Sequence, residues 1–156
     1  MRRAGWGVPL ALVVCGLVGI DGLATEHEPS GAIAIVVGNA SPIHGVTIDA
    51  LREVYLRRRR IWRDGVAALP VNLPADAPLR RVFSTRVLGR LPEDLESHWS
   101  RLAFEGVRPP AVLQSPQAVC AYVGVEPAAI GYLPHGAEDA ASCRVLFTID
   151  ADGRVR

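Results

Sequence analysis

The chain has 156 residues, 49% of them hydrophobic, with 17 Lys and Arg against 16 Asp and Glu. That length is one domain's worth and speaks against a multi-domain architecture, while the near-neutral charge speaks against nucleic acid, which needs a net basic face. All the basic residues are Arg, so a Lys nucleophile or Schiff base is excluded.

Met1-Arg2-Arg3 is a short basic start. An apolar stretch runs from Ala4 to Ile20, and Gly22-Leu23-Ala24 places small residues at a cleavage site. These three parts predict a secretory signal peptide over residues 1–24, and so a periplasmic or secreted protein. Removal takes Arg2, Arg3 and Asp21 away, which leaves 15 basic and 15 acidic residues of the original 17 and 16. The competing reading is a lipid anchor on Cys15, because Leu12-Val13-Val14-Cys15 has the outline of a lipoprotein box, although Val14 is larger than the small residue expected there. Nothing after Ala24 approaches the ~20 apolar residues of a spanning helix.

Residues 25–31 are polar, with Pro29 and Gly31, and read as a flexible leader. The run from Ala32 to Val37 is continuously apolar and stopped by Gly38, which suits a strand buried on both faces, as in a parallel sheet. Thr47 can cap a helix with Asp49 in its first turn. Ile48, Leu51 and Val54–Tyr55 give that helix an apolar face, and it ends near Leu56 or Arg57. Arg57-Arg58-Arg59-Arg60 follows, and Asp64-Gly65 reads as a turn.

Ala68 to Leu73 is a second strand, whose Pro70 favours an edge or a strand start. Asp76 can cap a helix with Leu79, Val82–Phe83 and Val87 on one face and Gly89 at its end. A further helix spans about Pro92 to Phe104, with Leu95, Trp99 and Leu102 as its apolar stripe. Gly106, Pro109 and Pro110 then break the chain. Ser115-Pro116 starts another helix, with Val119, Tyr122 and Val123 on its buried face. Strands are expected at Ala128–Leu133 and Cys143–Ile149, and residues 151–156 form a tail. Alternating strands and helices predict an α/β fold with a lobe over residues 32–150.

Cys120 and Cys143 remain after signal cleavage. They either bridge, which is usual in an oxidising compartment, or stay as two buried thiols. A bridge would close a loop of about 24 residues and add roughly 3 kcal/mol.

The catalytic signals are weak. His27, His44, His98 and His135 lack zinc-site spacing, and no metal or other cofactor is expected. No G-x-S-x-G, Walker A or G-x-G-x-x-G is present. Glu93, Asp94 and Glu96 could serve a hydrolase as paired carboxylates, but at a helix N-terminus they are more simply partners of the dipole. A non-enzymatic protein is therefore expected. Arg57, Arg58, Arg59 and Arg60 are either a solvated helix end or a surface for a partner protein. Arg80 and Arg81 stand at the start of a helix, where cations are disfavoured. Arg80 either binds an anion there or pairs with a carboxylate such as Asp76.

The order of these pieces is more specific than any one of them. Asn39-Ala40-Ser41-Pro42-Ile43 leads to the helix at 47–56, then Trp62-Arg63-Asp64-Gly65, Pro70-Val71, and Arg80-Arg81-Val82-Phe83 with Val87-Leu88-Gly89. His98-Trp99, Phe104-Glu105-Gly106, Pro109-Pro110 and Ile130-Gly131-Tyr132 complete the series. This set, over about residues 32–134, resembles the phosphate ABC transporter substrate-binding protein family, within the type II periplasmic-binding-protein-like folds. It is most similar to short, single-lobe members.

The resemblance implies a single periplasmic-binding-protein-like lobe, with a mixed, mostly parallel sheet flanked by helices. It also implies a non-enzymatic protein of phosphate uptake or sensing, with phosphate or another small oxyanion as ligand and a membrane permease or envelope protein as partner. Asn39, Ser41 and Arg80 are its candidate ligand-binding residues. Two departures stand out. Full-length relatives hold the anion between two lobes, and this chain resembles one of them. Where relatives carry a Ser-Gly-Thr turn, this chain has Asp76-Ala77-Pro78-Leu79-Arg80, and Pro78 lacks an N–H to offer an anion. The alternative implied by those departures is an interaction module that kept the fold and lost phosphate, with Arg57–Arg60 and Arg63 as its contact surface.

Overall fold

The structure is a computed structural model that describes residues 31–63 and 65–156. The expected signal peptide, Cys15 and all of the leader but Gly31 lie outside the described residues, as does Asp64 of the expected turn.

The apolar run forms strand β1, Ile33–Gly38, with every residue buried. Helix α1, Ile48–Tyr55, starts at Thr47, whose hydroxyl accepts from the Ala50 N–H at 3.2 Å. Leu51, Val54 and Tyr55 are its buried residues, as the periodicity predicts. Strand β2 is Leu69–Asn72. Helix α2, Pro78–Phe83, continues into a π-helical turn at Ser84–Leu88, which Gly89 ends in the left-handed region at φ 69°. A 3-10 turn at Glu93–Leu95 leads into α3, Glu96–Phe104. Strand β3 is Ala111–Val112 and helix α4 is Pro116–Val125, capped by the Ser115 hydroxyl on the Ala118 N–H at 3.1 Å. Strands β4, Ala129–Pro134, and β5, Cys143–Ile149, complete the series.

One five-stranded sheet runs in the order β3-β2-β4-β1-β5. It is mixed. β2 pairs parallel with β3 and β4, whereas β1 pairs antiparallel with β4 and β5. β1 is thus buried on both faces, as expected, without being parallel to its neighbours. A continuous β-branched run reports that both faces are covered and does not encode strand direction. Pro70 sits near the start of β2, and β3 joins only from Val71 onward, so no ladder hydrogen bond is lost.

Helices cover both faces. On one, α4 lies against β1 and β4, where a Cβ on Gly131 would meet Val119 and Val123. Successive strand residues point to opposite faces, so Tyr132 faces the other way, into an aromatic group with Tyr55 and Phe83. The Phe83 and Tyr132 rings stack with centroids 3.9 Å apart, and the Tyr55 and Phe83 centroids are 4.6 Å apart. This group ties α1, α2 and β4 together by apolar burial.

Cys120 of α4 and Cys143 of β5 form a disulfide, with Cα atoms 5.6 Å apart. Three features differ from the sequence reading. Asp76 is not the cap of α2: the N-cap is Ala77, which makes no side-chain bond, and Pro78 opens the helix instead. β3 lies inside a stretch read as broken, because two residues of strand are too short to show a period. The closing residues 151–156 fold back, with Thr148 and Arg156 exchanging N–H···O bonds of 2.8 and 2.9 Å and Val155 bridging Ile149. Among the described residues no helix is long and apolar enough to cross a membrane.

Candidate functional site

β2 ends on Asn72, β4 brings Tyr132 beside it, and α2 presents Arg80 to both. Arg80 Nη1 donates to Asn72 Oδ1, and the Tyr132 hydroxyl donates to the same oxygen at 3.3 Å. The Tyr132 oxygen in turn accepts from the Leu73 N–H at 3.2 Å. Behind this group, the Tyr55 hydroxyl lies 2.9 Å from the Val71 carbonyl and 3.2 Å from that of Ile130. Buried polar atoms cost free energy unless bonded, and here each bonds to another member or to sheet backbone.

Burial pushes the Tyr55 hydroxyl well above the usual tyrosine range, with the neighbouring Tyr132 adding to it and Arg80 opposing it. Burial also raises Tyr132, partly offset by Arg80 and by the Leu73 bond. Above about pH 10 the unfolded chain loses tyrosine protons that the folded chain keeps. Folding stability is therefore complete below that pH and is expected to fall as pH rises past it. The slope is about 1.4 kcal/mol per pH unit for each tyrosine held neutral. Urea midpoints measured between neutral pH and pH 11 check this, and Tyr55→Phe should flatten the fall. A midpoint independent of pH across that range would refute it.

Arg80 is only 6% exposed. Among the described residues no carboxylate lies within 4.0 Å of it, so the expected alternative of pairing with Asp76 is not what the structure shows. Arg81 differs. It clasps Glu93 through two bonds of 2.9 and 3.1 Å. Arg80 is thus a buried guanidinium held by a neutral amide, with no carboxylate in contact with it. It lines a cavity of about 450 Å³ together with Asn72, Trp99 and Pro110 and with the carboxylates of Asp76, Glu93 and Glu96.

Asn39 and Ser41 are not brought to this cavity. β1 runs antiparallel to β4, so the loop after Gly38 leaves the sheet where β2 and β4 begin. Arg80 lies beyond the end where β2 finishes. Ser41 is buried, with its hydroxyl on the Pro127 carbonyl at 2.5 Å and accepting from the Ile43 N–H at 3.3 Å. Asn39 Nδ2 donates to the Ala140 and Ala141 carbonyls at 3.0 and 3.1 Å. Both side chains are engaged with backbone and fasten the loop.

Of the three acidic residues at the start of α3, Glu96 lines the Arg80 cavity and the other two are occupied. Glu93 holds Arg81, and Asp94 accepts from the Leu91 N–H at 3.2 Å. A backbone hydrogen bond and the Arg81 clasp hold the Glu93 carboxyl below its usual range. A general acid needs the opposite shift. No cluster of three metal-ligating side chains occurs among the described residues. His98 is buried and donates from Nε2 to the Leu56 carbonyl at 3.0 Å, a structural role.

The sequence reading missed Asn72 as the partner of Arg80. Asn72 closes an otherwise apolar strand, and that lone polar residue at a buried strand end was the available signal.

No family model matches the chain, and no curated protein matches it by sequence. Solved structures do match by shape. An ABC-type phosphate transport receptor from Vibrio cholerae aligns at TM-score 0.58 and 20% identity, over 74% of this chain and 45% of that one. A protein from Clostridium perfringens, described as a phosphate ABC transporter substrate-binding protein with bound phosphate, aligns at TM-score 0.59 and 17% identity, over 74% and 44%. PstS from Borrelia burgdorferi aligns at 0.50 and 14% identity, over 71% and 47%. The chain thus spans less than half the length of each. Identities this low speak for architecture alone, and on that ground the chain has the α/β fold found in phosphate-transport substrate-binding proteins.

Proposed function

We propose that the chain is an extracytoplasmic, non-enzymatic solute-binding lobe that takes a small oxyanion of phosphate's class at Arg80, in uptake through a membrane permease or in sensing. The carrying observation is the buried Arg80 guanidinium, which lacks a carboxylate and lines an open cavity. Guanidinium groups match oxyanions through paired N–H donors. The fold shared with phosphate receptors and the Cys120–Cys143 disulfide support the reading, since disulfides persist in oxidising compartments.

The affinity is expected to be modest. Asp76 and Glu96 line the same cavity and oppose an anion, and no second lobe covers the site among the described residues. Calorimetry should give heat at millimolar phosphate, corresponding to about −4 kcal/mol of binding. Arg80→Met should abolish it while thermal unfolding, followed by circular dichroism, stays cooperative. No heat from the wild type, or equal heat from a folded Arg80→Met variant, would remove the proposal.

A further inference from the structure

A second cavity, of about 600 Å³, lies at the opposite end of the sheet, where the loop after β1 meets the segment after α1. Its floor includes Ile43 and Trp62, which are 2% and 8% exposed. Arg58, Arg59 and Arg63 stand around it. Among the described residues none of these three guanidinium groups has a hydrogen-bond or ion-pair partner. Arg52, also in the wall, is by contrast committed to Asp49 and the Val87 carbonyl. Glu53 is the one lining carboxylate without an ion pair, so the wall carries surplus positive charge.

This arginine segment is not a loose solvated end. Arg57 occupies the left-handed region at φ 57°, a position that favours glycine. The turn is closed by bonds from the Arg58 and Arg59 N–H groups to the Glu53 carbonyl, at 2.9 and 3.1 Å. Arg57 Nη1 is anchored on the Ala68 carbonyl at 2.9 Å, and the Arg60 carbonyl accepts from the Ala68 N–H at 2.8 Å. The backbone that carries Arg58, Arg59 and Arg63 is thus held against the cavity. One further polar group is unmet: Trp62 Nε1–H is buried and has no acceptor.

We propose that this cavity is a docking socket for an acidic peptide segment of a partner protein, one whose apolar side chain is flanked by Asp or Glu. The apolar floor offers a free phosphate ion nothing. It suits a side chain such as Leu. Exposed guanidinium groups spread around a rim need several carboxylates on one ligand, and a peptide chain supplies them in series. The socket is separate from the Arg80 cavity, and neither proposal depends on the other.

The test uses the full chain and a synthetic peptide with Leu flanked by two Glu on each side. Its controls are the same peptide with Gln for Glu, and inorganic phosphate. Fluorescence anisotropy should show binding that weakens as salt rises. The Gln peptide should bind about tenfold more weakly or worse, as should the Glu peptide to the Arg58→Ser, Arg59→Ser, Arg63→Ser triple variant, at an unchanged melting temperature. The indole N–H resonance of Trp62, assigned with Trp62→Phe, should move on peptide addition. No binding of the Glu peptide, or equal binding by the triple variant, would overturn the proposal. Displacement of the peptide by phosphate through the same indole shift would overturn it too, by reassigning the cavity to small ions.

Discussion

Gly38→Ala is expected to be the most damaging single substitution in the sheet. An ideal Cβ at Gly38 falls 2.1 Å from the Val123 carbonyl oxygen and 3.4 Å from the Gly124 Cα. Both are backbone atoms of α4, so no rotamer change can clear the clash and the helix must lift from β1. Lifting is resisted because Gly38 pairs with Cys143, which is bridged to Cys120 on that helix. The cost should reach about 3 kcal/mol or more, the upper range for overpacking. A fall of about 10 °C in melting temperature would correspond to it in a domain of this size. Gly131→Ala is the natural comparison. Its Cβ would meet the Val119 Cγ1 at 2.4 Å, but that is a side-chain methyl that can turn aside. Gly131→Ala should therefore cost less. Equal stability of Gly38→Ala and the wild type would show that the helix does not sit where the structure places it.

Removing the disulfide should cost nearly as much, by a different route. Cys120 and Cys143 are 23 residues apart in sequence, and closing that loop restricts the unfolded chain. The chain-entropy estimate for such a loop is roughly 3 kcal/mol. Cys120→Ser with Cys143→Ser should lower the urea midpoint accordingly, with a steeper denaturant dependence because the unfolded chain becomes more expanded. An unchanged midpoint would refute it. The two predictions are coupled. Without the bridge α4 is freer to lift, so Gly38→Ala should cost less in the Ser/Ser background than in the wild type. Additive losses would mean that the bridge does not restrain the helix.

Much of the fold was legible because local signals agreed with the final packing. Thr47 and Ser115 cap the helices they were expected to cap, since a hydroxyl before an amphipathic run satisfies backbone donors that only a helix start leaves open. The run from Ile33 to Val37 is fully buried because β-branched residues without polar interruption need cover on both faces. Gly89 ends its helix in the left-handed region, as its lack of a Cβ allows.

The binding residues were harder to read. Asn39 and Ser41 have the residue types of a ligand loop, yet their polar atoms fasten that loop to Ala140, Ala141 and Pro127, about a hundred residues away or nearly so. Nothing local to Asn39 distinguishes those two uses. Arg80 was singled out because a cation at a helix start is anomalous. That it bonds to Asn72, at the end of β2, and not to Asp76 depends on how α2 packs against that strand end, which no residue type in the segment announces.

The sequence by itself determined where helices begin, which faces they bury and which strand lies deepest, because capping, periodicity and β-branching act over a few residues. The tertiary structure alone decided the antiparallel pairing of β1, the joining of Cys120 to Cys143, and the separation of the Asn39 loop from Arg80. Each of these depends on which distant segments share the sheet. Only chain topology sets that, and it also placed arginines without an ion-pair partner at two cavities: Arg80 at one end of the sheet, and Arg58, Arg59 and Arg63 at the other.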